Sequence, residues 1–553
     1  MFNTQTKIVV MFNLLVITLA LFLNPRFQTN DDVGMIYAFS GTGMFDSPTP
    51  VTAFGTKIFG ILMVFLYQLL PTNFEVYTIV LILLLFLSNI LVYSKLLQYI
   101  SYKDSYFLLF FIPVLIFITL YFYLELQFTM VAGWLGFAGM LTILNKPKKN
   151  EIIIGLIFIL LSTLLRPSIV PIILGFVLLL NIAFVLISKK SLAILKPFLI
   201  NFTLFFIVFL SVYFIDIQIH TKEEKQFLAF NTFRSGIVDF NINETKSNSN
   251  PFLWEKEELD LFKNWFYNDS ILYSKEIDYN KATNNQHNQF IEKLNFDNIK
   301  LAMLLSQFGG PTYRCIFILA FIPILLFKRG KRNFIFFIFF ILTYICYYSV
   351  LSILFKEPPF RVSFMMFSAG IIFYLIEVSK NKLNERFSTK NWKAFVCSIL
   401  ILYALWITKI SMDMRKNDFA INFCKEKYDH KILYIRWKDY PYDYANPFMI
   451  SSSMRNIKFV SMGAFSIHPS VNNSFGKIIF NNLTNDIIGK DSIVSFLLPK
   501  DKLIWKSLEI SYINFIKKHY HKTVYFDEVQ NSNHCYDYAE FKIKLKRDEA
   551  KLD

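Results

Sequence analysis

Charged side chains are scarce in this sequence, 18% of 553 residues against roughly a quarter in an ordinary soluble chain. That shortfall excludes a protein whose whole surface faces water. Cysteine is nearly absent too: Cys315, Cys346, Cys397, Cys424 and Cys535 form no CxxC pair and keep no ligand spacing with histidine, which leaves no zinc site to argue for. Cys424 and Cys535 fall in one C-terminal region, where a disulfide and two buried thiols are both open. The glycines build neither GxGxxG nor GxxxxGK[ST], so a nucleotide-fuelled enzyme is unsupported. Histidine is missing from every long apolar run; His220, His287, His430, His468, His519, His521 and His534 all lie in polar stretches. This counts against a membrane acyltransferase with its histidine in the helix bundle, and against a histidine metal site there. No repeat stands out at a period of roughly 20 to 50 residues, and no inverted pair of Gly/Pro-broken apolar segments marks a secondary transporter.

What the chain has instead is apolar blocks. Hydrophobic residues make up 54%, aromatics 18%, and the mean hydropathy is +0.41. Runs such as Val80 to Leu91, Ile152 to Leu165 and Phe334 to Leu342 carry almost no polar interruption, and lipid is the solvent that tolerates them in such number. Spanning segments are expected at 8–24, 75–94, 105–124, 127–145, 151–166, 169–188, 197–215, 313–327, 333–355, 361–378 and 394–411. The first follows Lys7 with no small-x-small cleavage site after it, so it reads as a membrane helix and not as a removable signal. Segment 54–70 is apolar as well, but it holds Lys57 and Gln68 between Pro50 and Pro71, and reads as a juxtamembrane helix. The fold expected is an all-α polytopic bundle of about eleven transmembrane helices over 1–411, with a soluble α/β domain over 412–553.

The net charge of +16 points to membrane and not to nucleic acid, because of where the basic residues stand. With a cytoplasmic N-terminus, the cytoplasmic loops collect Lys95 and Lys103; Lys146, Lys148 and Lys149; Lys189, Lys190 and Lys196; Lys328, Arg329, Lys331 and Arg332; and Lys380, Lys382, Arg386, Lys390 and Lys393. The short loops opposite keep only Arg26, Lys57, Arg166, Lys356 and Arg361, the asymmetry expected when basic residues stay inside. Three external pieces follow: a first loop over 25–74, a large loop over 216–312, and everything after 411. The localisation expected is a bacterial inner membrane, multi-pass, with the C-terminal domain extracytoplasmic.

Beyond 411 the pattern changes. Short β-rich runs at Lys431 to Trp437, Ser492 to Leu498 and Thr523 to Phe526 alternate with helical stretches, the clearest at Lys502 to Tyr520. The large loop reads as partly helical around Pro251 to Tyr267 and Asn284 to Leu304.

The polar residues nearest the expected membrane surface are the candidates for chemistry. Asp31 and Asp32 open the first loop, just past the external end of the first span. Paired carboxylates supply a general base, or oxygen ligands for Mg²⁺ or Mn²⁺; they serve equally as capping residues of a helix over Val33 to Phe39. Glu125 occupies the tight external turn between two apolar helices, where a carboxylate is costly and functional by default. Arg166, Arg314 and Arg361 stand at external helix ends. Singly each suits headgroup water; together with the acids they suit a lipid phosphate, since an arginine fork grips phosphate bidentately.

This combination resembles the GT-C class of integral membrane glycosyltransferases. The stretch Asn30-Asp31-Asp32-Val33-Gly34-Met35 to Ser40-Gly41, an interfacial helix with a lysine, an acid in the second external loop and a soluble C-terminal domain together carry the likeness. It is nearest to bacterial surface-polysaccharide members, including O-antigen-modifying glucosyltransferases, and it covers roughly the first 170 residues. The resemblance implies a polyprenyl-phosphate sugar donor, a glycan or lipid-linked acceptor, and Asp31 or Asp32 as the base. It gives Glu125 the assisting role towards the base or a divalent cation, and Lys57, Arg166, Arg314 and Arg361 the donor phosphate. The chain departs from the pattern in having a single Glu where many members carry a DxD-like pair, and it lacks the Trp-Trp-Asp of oligosaccharyltransferases. Trp437, Tyr440, Tyr442 and Tyr444 offer aromatic faces for the acceptor glycan or for packing. Two alternatives are kept: a polysaccharide polymerase sharing the same pocket, and a flippase of lipid-linked sugars, which is disfavoured because charges stay at the ends of the spans.

Overall fold

The computed structural model describes residues 4–45, 47–70, 75–99, 105–144, 147–187, 195–238, 256–264, 330–355, 359–379, 433–436, 447–448, 459–461, 468–470, 494–499, 502–528 and 538–545. The expected spans at 313–327 and 394–411, the helix at Asn284 to Leu304, Arg314, and the aromatics Trp437 to Tyr444 lie outside these residues. The described chain is mostly helical and separates into two compact units, each assembled from three stretches: 1–28, 77–218 and 295–415 in the first, and 29–76, 219–294 and 416–553 in the second.

The first unit holds α1 (Thr4–Phe22), β1 (Arg26–Phe27), α4 (Val76–Tyr99), α5 (Ser105–Leu124), β2 (Glu125–Leu126), α6 (Phe128–Thr142), α7 (Lys149–Leu165), α8 (Val170–Ile187), α9 (Leu195–Ile219), α12 (Gly330–Phe355) and α13 (Phe360–Ser379), with α4 and α9 each giving one terminal residue to the second. Among the described residues five helical segments are long and apolar enough to cross a membrane: Gln5–Phe22, Val76–Gln98, Pro167–Ile187, Leu195–Ile219 and Phe360–Glu377. Several such helices in one chain point to a multi-pass membrane protein.

Helix α6 is the centre of this unit. Every residue from Phe128 to Thr142 is buried, which fits a helix apolar all round. Its small residues allow close neighbours. Gly139 faces Gly155 of α7 across a gap where an added Cβ would meet the Gly155 carbonyl at 3.0 Å, and Ser162 of α7 donates to the Ala132 carbonyl at 2.6 Å. Small residues and side-chain-to-backbone bonds of this kind hold helices together where no hydrophobic force between them exists. A second tie joins α4, α5 and α6: the Trp134 indole donates to Asn89 Oδ1 at 2.7 Å, and Asn89 Nδ2 donates to the Tyr123 hydroxyl at 3.4 Å.

The second unit contains α2 (Asn30–Ser40), α3 (Lys57–Leu69), α10 (Lys222–Val238), α11 (Lys256–Lys263), α14 (Lys502–Tyr520) and β3 (Leu433–Arg436), β4 (Phe459–Ser461), β5 (Val494–Pro499), β6 (Val524–Glu528) and β7 (Tyr538–Leu545). The five strands form a mixed sheet in the order β4-β3-β5-β7-β6. β3 pairs parallel with both β4 and β5, while β7 pairs antiparallel with β5 and β6. Helix α14 links β5 to β6 and buries Leu508, Tyr512, Phe515 and Ile516, the i, i+4, i+7, i+8 face that packs a helix onto a sheet.

Contacts inside this unit tie its three stretches together. Phe39 of α2 meets Phe59 of α3 edge-on at 6.1 Å, Asn231 of α10 donates to the Ala53 carbonyl at 3.4 Å, and Phe262 of α11 packs on Phe230 and Phe233 of α10. Helix α3 buries Phe59, Gly60 and Met63 and leaves Ile61, Leu62, Phe65 and Leu69 exposed. It is a one-sided helix in which Gly60 rides against the Pro50 carbonyl with no room for a side chain.

Candidate functional site

In the first unit the candidate residues are organised by a two-residue ribbon. The chain leaves α1 at Phe22, turns through Asn24 at φ 63°, a conformation that asparagine tolerates better than most residues, and lays β1 parallel to β2 with Arg26 opposite Glu125 and Phe27 opposite Leu126. The Gln28 amide continues the ladder to the Leu126 carbonyl at 3.2 Å. Backbone pairing therefore sets Arg26 beside Glu125. Nε of Arg26 donates to Glu125 Oε1 at 2.9 Å, and Nη2 bonds the same oxygen. The Glu125 side chain is 9% exposed and that of Arg26 is 24% exposed. Burial pushes the Glu125 carboxyl above the usual carboxylate range, and the Arg26 guanidinium pulls against it.

Other candidates gather at the same end of this unit. Gln28 Nε2 donates to the Tyr121 hydroxyl at 3.3 Å, and the Tyr121 ring packs at a tilt against Phe364 at 4.2 Å and edge-on to Phe360 at 6.1 Å. Phe360 begins α13, and Arg361 is the next residue of its first turn. Arg166, between α7 and a 3-10 turn over Pro167–Ile169, lies over the ring of Phe128, three residues past Glu125, with 5.0 Å from guanidinium carbon to ring centre. That is cation–π range. The ends of α1, α5, α6, α7 and α13 thus lie at one end of an apolar bundle, where Arg26 pairs with Glu125 and Arg166 lies on Phe128, and Arg361 stands in the first turn of α13.

Asp31, Asp32 and Lys57 belong to the second unit. Helix α2 starts at Asn30, three residues earlier than the apolar pattern indicates, so both acids sit in its first turn, where negative charge meets the positive end of the helix dipole. Thr29 Oγ1 donates to Asp32 Oδ2 at 3.4 Å; Asp32 is fully buried and Asp31 half-buried. The Gly41 of the Ser40-Gly41 pair ends α2 with φ 66° and returns its amide to the Tyr37 carbonyl, a left-handed cap that glycine adopts without strain. The helix accounts for that part of the motif by itself.

Lys57 opens α3 after the Thr56 cap, whose hydroxyl accepts from the Phe59 amide at 3.2 Å. Its ammonium is held by Glu224 of α10, at 2.9 Å to Oε1 and 2.7 Å to Oε2, and it donates to the Ile219 carbonyl at 3.1 Å. Burial alone would raise the Glu224 carboxyl; the bonds from Lys57 and the Thr221 amide overcome it and hold the group below its ordinary value. Lys57, read from sequence as a phosphate ligand, thus also joins two stretches of its unit.

Sequence reasoning passed over two residues. Arg26 counted only as a loop charge, and its partner lies 99 positions away, with no periodic signal in two-residue strands. His468, from the C-terminal stretch, is 1% exposed. Its Nε2 lies 3.1 Å from the Val51 carbonyl, its Nδ1 accepts the Ser470 amide at 3.1 Å, and its ring lies edge-on to Phe45 and Phe227. One imidazole therefore touches all three stretches of the second unit, and burial depresses it to about 4.

No group of three His, Cys, Asp or Glu side chains that could hold a metal ion comes together among the described residues. The Glu125 carboxylate is engaged by Arg26, and no step is routed through a cation. Comparisons with protein-family models, with curated proteins and with solved structures find no match.

Proposed function

We propose that this chain is a GT-C-type glycosyltransferase of about eleven spans in a bacterial inner membrane, moving one sugar from a polyprenyl phosphate to a hydroxyl of a lipid-linked or surface glycan on the extracytoplasmic face. The observation that carries it is the polar end of the first unit. A bundle with apolar interior helices sets Arg26, Glu125, Arg166 and Arg361 at one end, where guanidiniums suit a lipid phosphate and stabilise the charge it gains on leaving. The alternative of a flippase is less favoured, because a path for a charged lipid headgroup would need such residues along the spans.

In this proposal the acceptor oxygen attacks the anomeric carbon from the face opposite the phosphate. The bond to the phosphate oxygen breaks with its electron pair, and the acceptor proton passes to a carboxylate. The result is inversion in one displacement. Asp31 and Asp32 take the base role from the resemblance, and the half-buried Asp31 is the more accessible of the two. Glu125, held by Arg26 and buried, acts as a fixed negative charge that orients the guanidinium. Phosphate is already a fair leaving group, so positioning and charge stabilisation supply most of the rate.

The test is surface-glycan composition by mass spectrometry in cells with the wild type, Asp31→Asn, Asp32→Asn or a deletion. Loss of one hexose-sized unit in the deletion and in a folded Asp variant is expected, with transfer down by about 10²-fold or more on removal of a general base. Asp variants that match the wild type reduce the pair to helix-end residues and sink the proposal.

A further inference from the structure

Away from these residues, within the second unit, the N-terminal turn of α11 lies beside the C-terminal turn of α14. The crevice between them has a volume of about 240 Å³ and is lined by Glu257, Glu258, Asn514, Phe515, Lys518 and His519. Glutamates at a helix start and lysine and histidine at a helix end each complement the helix dipole. That accounts for their signs but not for an open space between them. The Glu258 side chain is only 3% exposed, with Oε1 3.0 Å from His519 Nε2, and the Phe515 and His519 rings lie 4.8 Å apart.

Charge and size limit the occupant. A phosphate or carboxylate would face two glutamates, and a compact cation would face the Lys518 ammonium, so the opposed walls favour a ligand without net charge. The crevice is smaller than the roughly 300–1,000 Å³ of a drug-sized pocket, which limits it to one ring. Glutamate accepts, lysine donates, and the asparagine amide does both; a ring bearing several hydroxyls, each donor and acceptor, matches that set, and the two aromatic rings offer an apolar wall for its C–H face. We propose that this crevice binds a single uncharged sugar ring. Preferring a sugar to other neutral polyols rests on the glycosyltransferase reading, since an acceptor glycan ends in such a ring.

The experiment uses the full chain in detergent, with no donor and no turnover. Glucose, galactose, N-acetylglucosamine and rhamnose are titrated by saturation-transfer NMR, beside cationic glucosamine and anionic glucuronate. At least one neutral sugar should bind, more tightly than either charged one, and Asn514→Ala and Lys518→Ala, both at exposed positions, should each weaken it about tenfold, some 1.4 kcal/mol. Glu258→Gln is avoided as the main probe because that side chain is buried. No neutral sugar binding, binding of glucosamine or glucuronate alone, or binding indifferent to both substitutions overturns the proposal. If sugars bind while the Asp31 and Asp32 variants transfer normally, the enzyme reading fails alone; if transfer needs those acids and no sugar binds, the crevice fails alone.

Discussion

The two units solve the same problem, holding together stretches far apart in sequence, by different physics. In the first, α6 is buried on every side and its neighbours close on small residues, Gly139 against Gly155 and Ser162 on the Ala132 carbonyl; charge is confined to the ends of helices. In the second, the joints are polar or aromatic: Lys57 on Glu224, His468 on Val51, Phe262 between Phe230 and Phe233. Packing without charge tolerates a change of pH. Joints built on ionisable groups do not, and each unit should therefore respond to protonation through its own: the ion pairs at the helix ends of the first, and the buried histidine and the pair of Lys57 with Glu224 in the second.

The largest effect should come from the more buried ion pair of the first unit, that of its two-residue ribbon, Arg26 with Glu125; a second described pair in that unit joins Lys95 of α4 to Glu151 of α7. Arg26→Met leaves the Glu125 carboxylate buried without its guanidinium, which costs about 3 kcal/mol, the lower end for a broken buried pair because Arg26 is partly exposed. The Glu125 carboxyl already sits above its ordinary value, and loss of Arg26 raises it further. A raised carboxyl favours the folded state at low pH and loses that advantage as pH rises, so the deficit should be larger at pH 8 than at pH 5. Thermal unfolding in detergent measures this, with Glu125→Gln in the same chain restoring most of the loss. An Arg26→Met protein as stable as the wild type at pH 8 would show the ribbon, and not the ion pair, to be the joint.

How far the sequence foretold these joints depends on how local their signal is. Helix α14 runs from Lys502 to Tyr520, where apolar spacing placed it, because burial on a sheet imposes a periodic face. Helix α3 falls between the prolines that bracket its segment. Strand β7 escaped notice although Phe541 and Ile543 point inward between Lys542 and Lys544, since four alternating residues in a lysine-rich tail read equally as solvated chain. The start of α2 at Asn30 escaped because polar residues open that helix, and apolar periodicity begins only at Val33. Glu125, Arg166 and Arg361 were visible as charges at the ends of apolar runs. The pairing of Arg26 with Glu125 and of Lys57 with Glu224 was not, because an ion pair across 99 or 167 positions leaves no mark on either local sequence.

The second unit should respond to acid. His468 Nδ1 accepts the Ser470 amide, so the ring is neutral with its proton on Nε2, donated to Val51. A second proton can enter only by breaking the Ser470 bond. With the folded group at about 4 against 6.5, the unfolded chain takes up the proton first as pH falls. Stability from this residue is fully present above pH 6.5 and is lost between 6.5 and 4, a change of about 3 kcal/mol at most. Glu224, the charged group acting on the ring, works against the depression. Unfolding midpoints followed by near-UV circular dichroism should drop over that window, and His468→Gln, whose amide still donates to Val51, should flatten the slope. An unchanged slope in that variant would move the acid sensitivity elsewhere.

The smallest of the three effects belongs to Lys57. The ammonium and the Glu224 carboxylate are each partly screened by solvent, and such pairs are worth about 1 kcal/mol, so Lys57→Met should lower stability by that much at pH 7. The sign follows from Glu224, held below its ordinary value: its contribution is present above about 4.5 and disappears as the carboxyl protonates, so variant and wild type should converge in acid. The same variant separates strut from ligand. A strut alone predicts unchanged sugar transfer once the loss of stability is offset by lower temperature; a phosphate ligand predicts a raised KM for the polyprenyl donor that cooling does not restore. Because both Glu224 oxygens and the Ile219 carbonyl already occupy the ammonium, the expected outcome is an unchanged KM, which would leave the donor phosphate to the arginines of the first unit.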